Sequence, residues 1–126
     1  MAIWAVSTPY KPRIDEGKYE ATVKDVNVEW NQLGKFDYKD LVKFEFQVQD
    51  VVVKHTIYCT PKDSGVLNLN TKKLKEAVTN ILGHEPEARF NLKDLVGKTC
   101  EVWILHVPGN NGNVYERVDK IRPAKM

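Results

Sequence analysis

The feature that most constrains the fold is a change of side-chain parity within residues 18–30, "KYEATVKDVNVEW". Apolar side chains occupy odd positions up to Val23 and even positions from Val26 onward. Because successive side chains of a strand point to opposite faces, this change requires one extra residue, which is a β-bulge. The sequence therefore predicts one long strand with its bulge near Lys24 and Asp25. Such a bent strand can serve both sides of a small closed barrel.

Two shorter segments, residues 41–49 ("LVKFEFQVQ") and 51–60 ("VVVKHTIYCT"), alternate in polarity and are predicted strands. The second strand is expected to direct four side chains into the core: Val42, Phe44, Phe46 and Val48. The third strand is expected to direct four more: Val53, His55, Ile57 and Cys59. A tight hairpin is expected near Asp50, between the two strands.

Residues 71–82, "TKKLKEAVTNIL", are predicted to form an amphipathic helix. Its apolar side chains recur at the spacing of one helical face: Leu74, Ala77, Val78, Ile81 and Leu82. Asn70 or Thr71 can cap the first turn, and Gly83 can adopt the left-handed conformation that ends many helices.

The segment after the helix returns to strands. Within "NLKDLVGK" one short turn is expected to bury Leu92 and Leu95 before Gly97 permits a sharp bend. Strands are predicted over residues 99–107 and 114–121, joined by the turn "PGNNGN". The order of elements indicates an all-β class with one helix, placed between strands 3 and 4. An open α+β sheet is the main alternative, because periodicity does not separate a closed barrel from an open sheet.

The 126 residues are enough for one domain, with an arm over residues 1–13 and a short basic tail over residues 122–126. The net charge of +2 permits a nucleic-acid partner without requiring one. No apolar run approaches the roughly 18 residues that span a bilayer, and the first residues do not resemble a signal peptide. With two cysteines, a reducing cytoplasmic location is expected and a membrane partner is not.

With this order of elements, the chain resembles small OB-fold single-stranded-DNA-binding proteins of bacteriophages and prophages, over about residues 17–123. The supporting segments are "GKYEATVKDV", "KFEFQVQD", "LVGKTCEVWI" and "YERVDKIRP". The resemblance implies a closed, five-stranded Greek-key barrel. It also implies sequence-independent binding of single-stranded DNA in replication or recombination, in the host cytoplasm if the protein is viral. Bacterial proteins of this class typically end in an acidic tail, whereas this chain ends in "RPAKM".

Binding a single strand requires cations for the phosphates and flat rings for the bases. In an OB-fold these lie on strands 2 and 3 and in the loops joining strands 1 to 2 and 4 to 5. The first of these loops, "NQLGKFDYKD", interleaves rings with lysines. The predicted nucleic-acid-binding residues are Lys35, Phe36, Tyr38, Lys39, Lys43, Lys54, Tyr58, Trp103, Tyr115 and Arg117. The plainer interpretation makes Phe36 a lid over the core and places Trp30 and Trp103 in or at the edge of the core.

No catalytic motif is present in the sequence, so an enzyme is not expected and no cofactor is implied. His55 and Cys59 share a face, but two ligands do not make a zinc site, and core packing is the expected role. A protein-interaction or phage assembly module on the same barrel is the alternative function. An oligosaccharide-binding barrel is a third interpretation. RNA as a ligand and a homo-oligomeric state are left open.

Overall fold

The computed structural model describes residues 1–33, 37–61 and 66–124. The strands are β1 (Gly17–Leu33), β2 (Tyr38–Val48), β3 (Val51–Cys59), β4 (Thr99–Pro108) and β5 (Val114–Pro123). Between β3 and β4 lie helix α1 (Lys72–Leu82) and a 3₁₀ turn (Leu92–Leu95). A second 3₁₀ turn, Asn110–Gly112, joins β4 to β5. None of the helices in these ranges is long and apolar enough to cross a membrane.

The five strands form a single antiparallel sheet in the order β3-β2-β1-β4-β5. The long strand β1 lies at the centre, because its first half pairs with β4 and its second half pairs with β2. The prediction of a mostly β chain with one helix between strands 3 and 4 is confirmed.

The bulge predicted in β1 is present. The pairing register between β1 and β2 shifts between Val23 and Asp25, so Lys24 is the extra residue. A second shift, between Glu29 and Gln32, was not predicted. There the Asn31 backbone N–H donates to the carboxylate of Asp40, at 2.9 Å. Two bulges bend β1 enough for it to hold both halves of the sheet.

The core lies on the face of the sheet against which α1 packs. The predicted inward faces of β2 and β3 are confirmed: Val42, Phe44, Phe46, Val48, Val53, Ile57 and Cys59 are buried, and His55 is half-buried. Phe44 and Phe46 stack with their ring centroids 5.8 Å apart. Helix α1 adds Leu74, Ala77, Val78 and Ile81 to the same core.

The predicted ends of α1 and the turns are largely confirmed. Gly83 is left-handed, and its N–H donates to the carbonyl of Thr79 at 2.8 Å. Thr71 occupies the N-cap position, but its side chain makes no capping hydrogen bond. Asn111 and Gly112 both have positive φ values, of 59° and 78°, as the tight turn between β4 and β5 requires.

The expectation of a closed barrel is wrong, because the sheet is not closed. Within the described ranges, no ladder of hydrogen bonds joins the two edge strands, β3 and β5. Instead, a side chain from another segment donates a hydrogen bond to a backbone carbonyl on each edge strand. The Asn80 amide on α1 donates to the carbonyl of Ile121 in β5, at 2.8 Å. The Arg13 guanidinium donates to the carbonyl of Val52 in β3, at 2.8 Å.

The predicted N-terminal arm is in two parts. Residues 1–9 are exposed, whereas residues 10–14 lie against the β4–β5 hairpin. Tyr10 accepts a backbone hydrogen bond from Val114 at 2.9 Å, and its ring stacks on Tyr115 with centroids 5.1 Å apart. The arm is therefore anchored at the start of β5.

Candidate nucleic-acid interface

The open seam between β3 and β5 forms a cavity of about 570 Å³, which we call the basic groove. One wall comes from β3, the other from β5, and α1 contributes the floor. The lining residues are His55, Thr56, Ile57, Tyr58, Lys73, Glu76, Ala77, Asn80, Arg117, Val118, Asp119, Lys120, Ile121 and Arg122. A groove between two strand edges, bounded by a helix and lined by both polar and apolar side chains, is accessible to an extended chain.

Cations outnumber carboxylates in the basic groove. Among the described residues, four cationic side chains line it, Lys73, Arg117, Lys120 and Arg122, against two carboxylates, Glu76 and Asp119. These cations also affect the titration of His55, which lies in the β3 wall of the groove. Burial lowers the pKa of His55, and the nearby charges of Arg117 and Lys73 lower it further. The groove is therefore suited to anionic ligands at neutral pH.

Tyr58 places a ring on the β3 wall of the basic groove. It lies on the outer face of β3, opposite Leu41 of β2, and is 63% exposed. The structure therefore places Tyr58 at the surface rather than in the core. A ring held on a strand and open to solvent can stack on a base without rearranging the protein.

Next to β5, on the outer face of the sheet, Trp103 of β4 lies between two lysines. In the pairing register, Trp103 of β4 lies opposite Lys18 of β1 on one side and Lys120 of β5 on the other. Each ammonium lies 5.8 Å from the centre of the indole. Trp103 is 40% exposed, so its ring is at the surface rather than in the core. Lys120 also lines the basic groove, so the two features are continuous.

Of the predicted binding residues, the structure brings Tyr58 and Arg117 together in the basic groove. Trp103 and Arg117 share the outer face of β4 and β5, as expected. Tyr115 is on that face too, but one side of its ring is covered by Tyr10, and its edge lies against Gly109. Its available stacking surface is correspondingly reduced.

The predicted lysines on β2 and β3 do not line the basic groove. Lys39, Lys43 and Lys54 lie on the outer face of these strands. Lys43 is held by Glu29, with nitrogen and oxygen 2.8 Å apart. Lys54 lies opposite Glu45. These carboxylates weaken the positive field on that face.

The loop between β1 and β2 is described only in part. Tyr38, at the start of β2, is exposed. Lys35 and Phe36 lie outside the described residues, so their predicted roles stay predictions.

Three cations of the basic groove were missed by sequence reasoning: Lys73, Lys120 and Arg122. A signal for Lys73 existed, since Lys73, Glu76, Ala77 and Asn80 recur at helical spacing and form a stripe beside the apolar face of α1. The signal for Lys120 and Arg122 was weaker. Their position depends on β5 being an edge strand, which the sequence pattern does not reveal.

The described residues show no group of three or more His, Cys, Asp or Glu side chains that could hold a metal ion. Cys59 and Cys100 are buried free thiols. Burial raises the pKa of Cys100 to about 12 and also raises the pKa of Cys59. Both thiols are therefore protonated and unreactive at neutral pH.

Comparison with protein-family models finds no match for this sequence, and a search of curated proteins finds none either. The function must therefore be inferred from the geometry of this chain.

Proposed function

We propose that this chain is a non-catalytic, largely sequence-independent single-stranded-DNA-binding protein, acting in replication or recombination, and that it holds the strand in the basic groove. The observation that carries the proposal is the meeting of one exposed ring, Tyr58, with four cationic side chains along a single groove. This is the combination that single-strand binding requires.

Each part of the groove has a role in the proposed complex. Lys73, Arg117 and Lys120 contact phosphates, and the counterions released from the DNA favour binding. A base stacks on Tyr58, which contributes about 1–3 kcal/mol with little sequence preference. The strand then crosses β5 and places a second base on Trp103, between its two lysines. In duplex DNA the bases are already stacked and paired, so they are not free to use these rings.

The proposed fold class is an OB-fold in which no ladder of hydrogen bonds joins β3 to β5. Support comes from the strand order, from the central bulged β1, and from the helix between β3 and β4. The open seam between β3 and β5 is where the proposed ligand lies, so in this proposal the missing ladder leaves room for the DNA.

A second candidate function, a protein-interaction or phage assembly module, is favoured by one specific observation. Trp103 and Leu105 are neighbours on the outer face of β4, and each leaves about two fifths of its surface exposed. Adjacent exposed apolar side chains are typical of protein interfaces. Absence of nucleic-acid binding together with a stable protein partner would favour this function.

The test compares two lysines on the same helix. Lys73 lines the basic groove and Lys75 does not, although both are exposed. Lys73→Gln and Lys75→Gln remove the same charge, so any difference in binding reports position rather than net charge. Fluorescein-labelled oligo-dT is titrated at several salt concentrations, with anisotropy as the signal and duplex DNA as competitor.

We expect tight binding to the single strand and weak binding to the duplex. Lys73→Gln should reduce affinity by about three- to tenfold and lower the slope of log affinity against log salt by about one, because one phosphate contact is lost. Lys75→Gln should behave as the unaltered chain. Absence of binding at low salt would refute the function, and equal losses in both variants would place the site elsewhere.

A further inference from the structure

The segment before the anchored part of the arm is apolar and exposed. Residues 1–6, "MAIWAV", contain no charged side chain, and the indole N–H of Trp4 is their one side-chain N–H or O–H donor. Ile3 is 94% exposed, Trp4 86% and Val6 85%. Leaving three large apolar side chains in water costs about 1.5–3 kcal/mol each relative to burying them. A segment of this kind is stabilised by docking into an apolar surface.

The same chain presents such a surface at the other end of β1. A cavity of about 560 Å³, which we call the apolar groove, lies between the second half of β1 and the segments flanking α1. Its apolar walls include Val28, Trp30, Leu67, Leu69, Phe90 and Leu92. Trp30 is exposed there, and the other five side chains are only partly buried. Among the described residues, the groove is thus an extension of the core that no side chain fills.

Measured along the sheet, the apolar groove lies farther from Tyr10 than the arm of the same chain extends. Trp4 stands six residues before Tyr10, which is anchored at the start of β5, and six extended residues span at most about 21 Å. The start of β5 lies four residues farther along β4 than the start of β1, since Val114 pairs with Pro108 and Gly17 pairs with Ile104. From Gly17 to Val28, β1 extends about 36 Å at ~3.3 Å per residue. The bulges shorten this path but leave the groove at the far end of the strand.

We propose that the arm of one chain docks in the apolar groove of a second copy, and that the two copies exchange arms reciprocally. Reciprocal exchange uses the same two surfaces on each copy and closes into a two-fold dimer. Trp4 is the principal anchor, because a tryptophan buries on the order of 150–250 Å². This inference is independent of the proposed nucleic-acid function.

The area involved is sufficient for a stable dimer. The side chains of one docked arm bury on the order of 500 Å² of their own surface, with Trp4 as the largest part. Two exchanged arms therefore bury about 1,000 Å² before the groove walls are counted, which reaches the lower limit for a specific interface.

The test uses the full chain and measures its mass by light scattering and sedimentation. We expect a concentration-dependent dimer, and Trp4→Ser should weaken the association at least about tenfold. Leu105→Ser is the control, since it removes an exposed apolar side chain that lies in neither the arm nor the apolar groove. The control should dimerise as the unaltered chain.

A cross-link tests the docking geometry directly. Ser7→Cys keeps Trp4 in the arm, and Ala88→Cys places a thiol at the exposed rim of the apolar groove. The native thiols are buried and will not compete. When chains carrying the two substitutions are mixed and oxidised, we expect a disulfide between positions 7 and 88. A monomer at every concentration, a dimer unaffected by Trp4→Ser, or a dimer equally weakened by Leu105→Ser would overturn the proposal.

Discussion

At Glu116, hydrogen bonds from two neighbouring side chains and one backbone amide converge on a carboxylate whose side chain is only 7% exposed. The hydroxyl of Tyr10 donates at 2.5 Å, the backbone N–H of Arg13 at 3.1 Å, and the Arg13 guanidinium at 3.1 Å. Burial by itself raises the pKa of Glu116, but these donors outweigh it and hold the pKa below its usual value. The carboxylate is thus the point at which the arm is fixed to β5.

Glu116→Gln is predicted to destabilise the protein by about 1–2 kcal/mol at neutral pH, because Gln keeps the shape but loses the charge. Solvent screening at the half-exposed Arg13 keeps this value low. Since the folded-state pKa is depressed, the stabilisation is complete above the unfolded-state pKa and is lost as pH falls through the folded-state value.

The difference in unfolding free energy between the two chains should therefore shrink from about pH 4 downwards. Urea unfolding across pH measures this difference, with exposed Glu87→Gln as the control. A difference that is constant with pH would show that the charge of Glu116 is not what stabilises the contact.

At the scale of elements, the seam between β3 and β5 is held by side chains rather than by a ladder. Helix α1 packs its apolar face on the core and uses Asn80 to satisfy the carbonyl of Ile121 on β5. Arg13 joins the two edges elsewhere, because its guanidinium contacts both Val52 of β3 and Glu116 of β5. These contacts keep the strands in place while leaving the groove between them open.

Asn80→Ala is predicted to destabilise the protein by about 1 kcal/mol, because the carbonyl of Ile121 loses the shorter of its two side-chain donors and keeps only the Arg122 guanidinium, at 3.4 Å. Thr79→Ala is the matched control on the preceding residue of α1, and it should be close to neutral. Thermal unfolding followed by circular dichroism compares the two. Equal destabilisation by both substitutions would show that the hydrogen bond is not responsible, because alanine raises helix propensity at both positions.

At the scale of the whole molecule, local patterns predicted the elements and long-range contacts decided their arrangement. The parity change between Val23 and Val26 predicted the bulge, and alternation predicted the buried faces of β2 and β3. The open seam was not predictable, because it depends on contacts made by Arg13 and Asn80 with segments far away in sequence. Tyr58 and Arg117 were predicted as binding residues, whereas Lys73 became part of the groove only through the packing of α1.

The measurement that tests the proposed function most directly is photo-cross-linking to an oligo-dT that carries 5-iodouracil, followed by mapping of the cross-linked peptides. This chemistry reports aromatic side chains in contact with a base. We predict cross-links to Tyr58 and Trp103, reduced by Lys73→Gln and unchanged by Lys75→Gln. Absence of cross-links, or cross-links confined to Tyr38 and Trp30 at the far end of β1, would contradict the placement of the single strand in the basic groove.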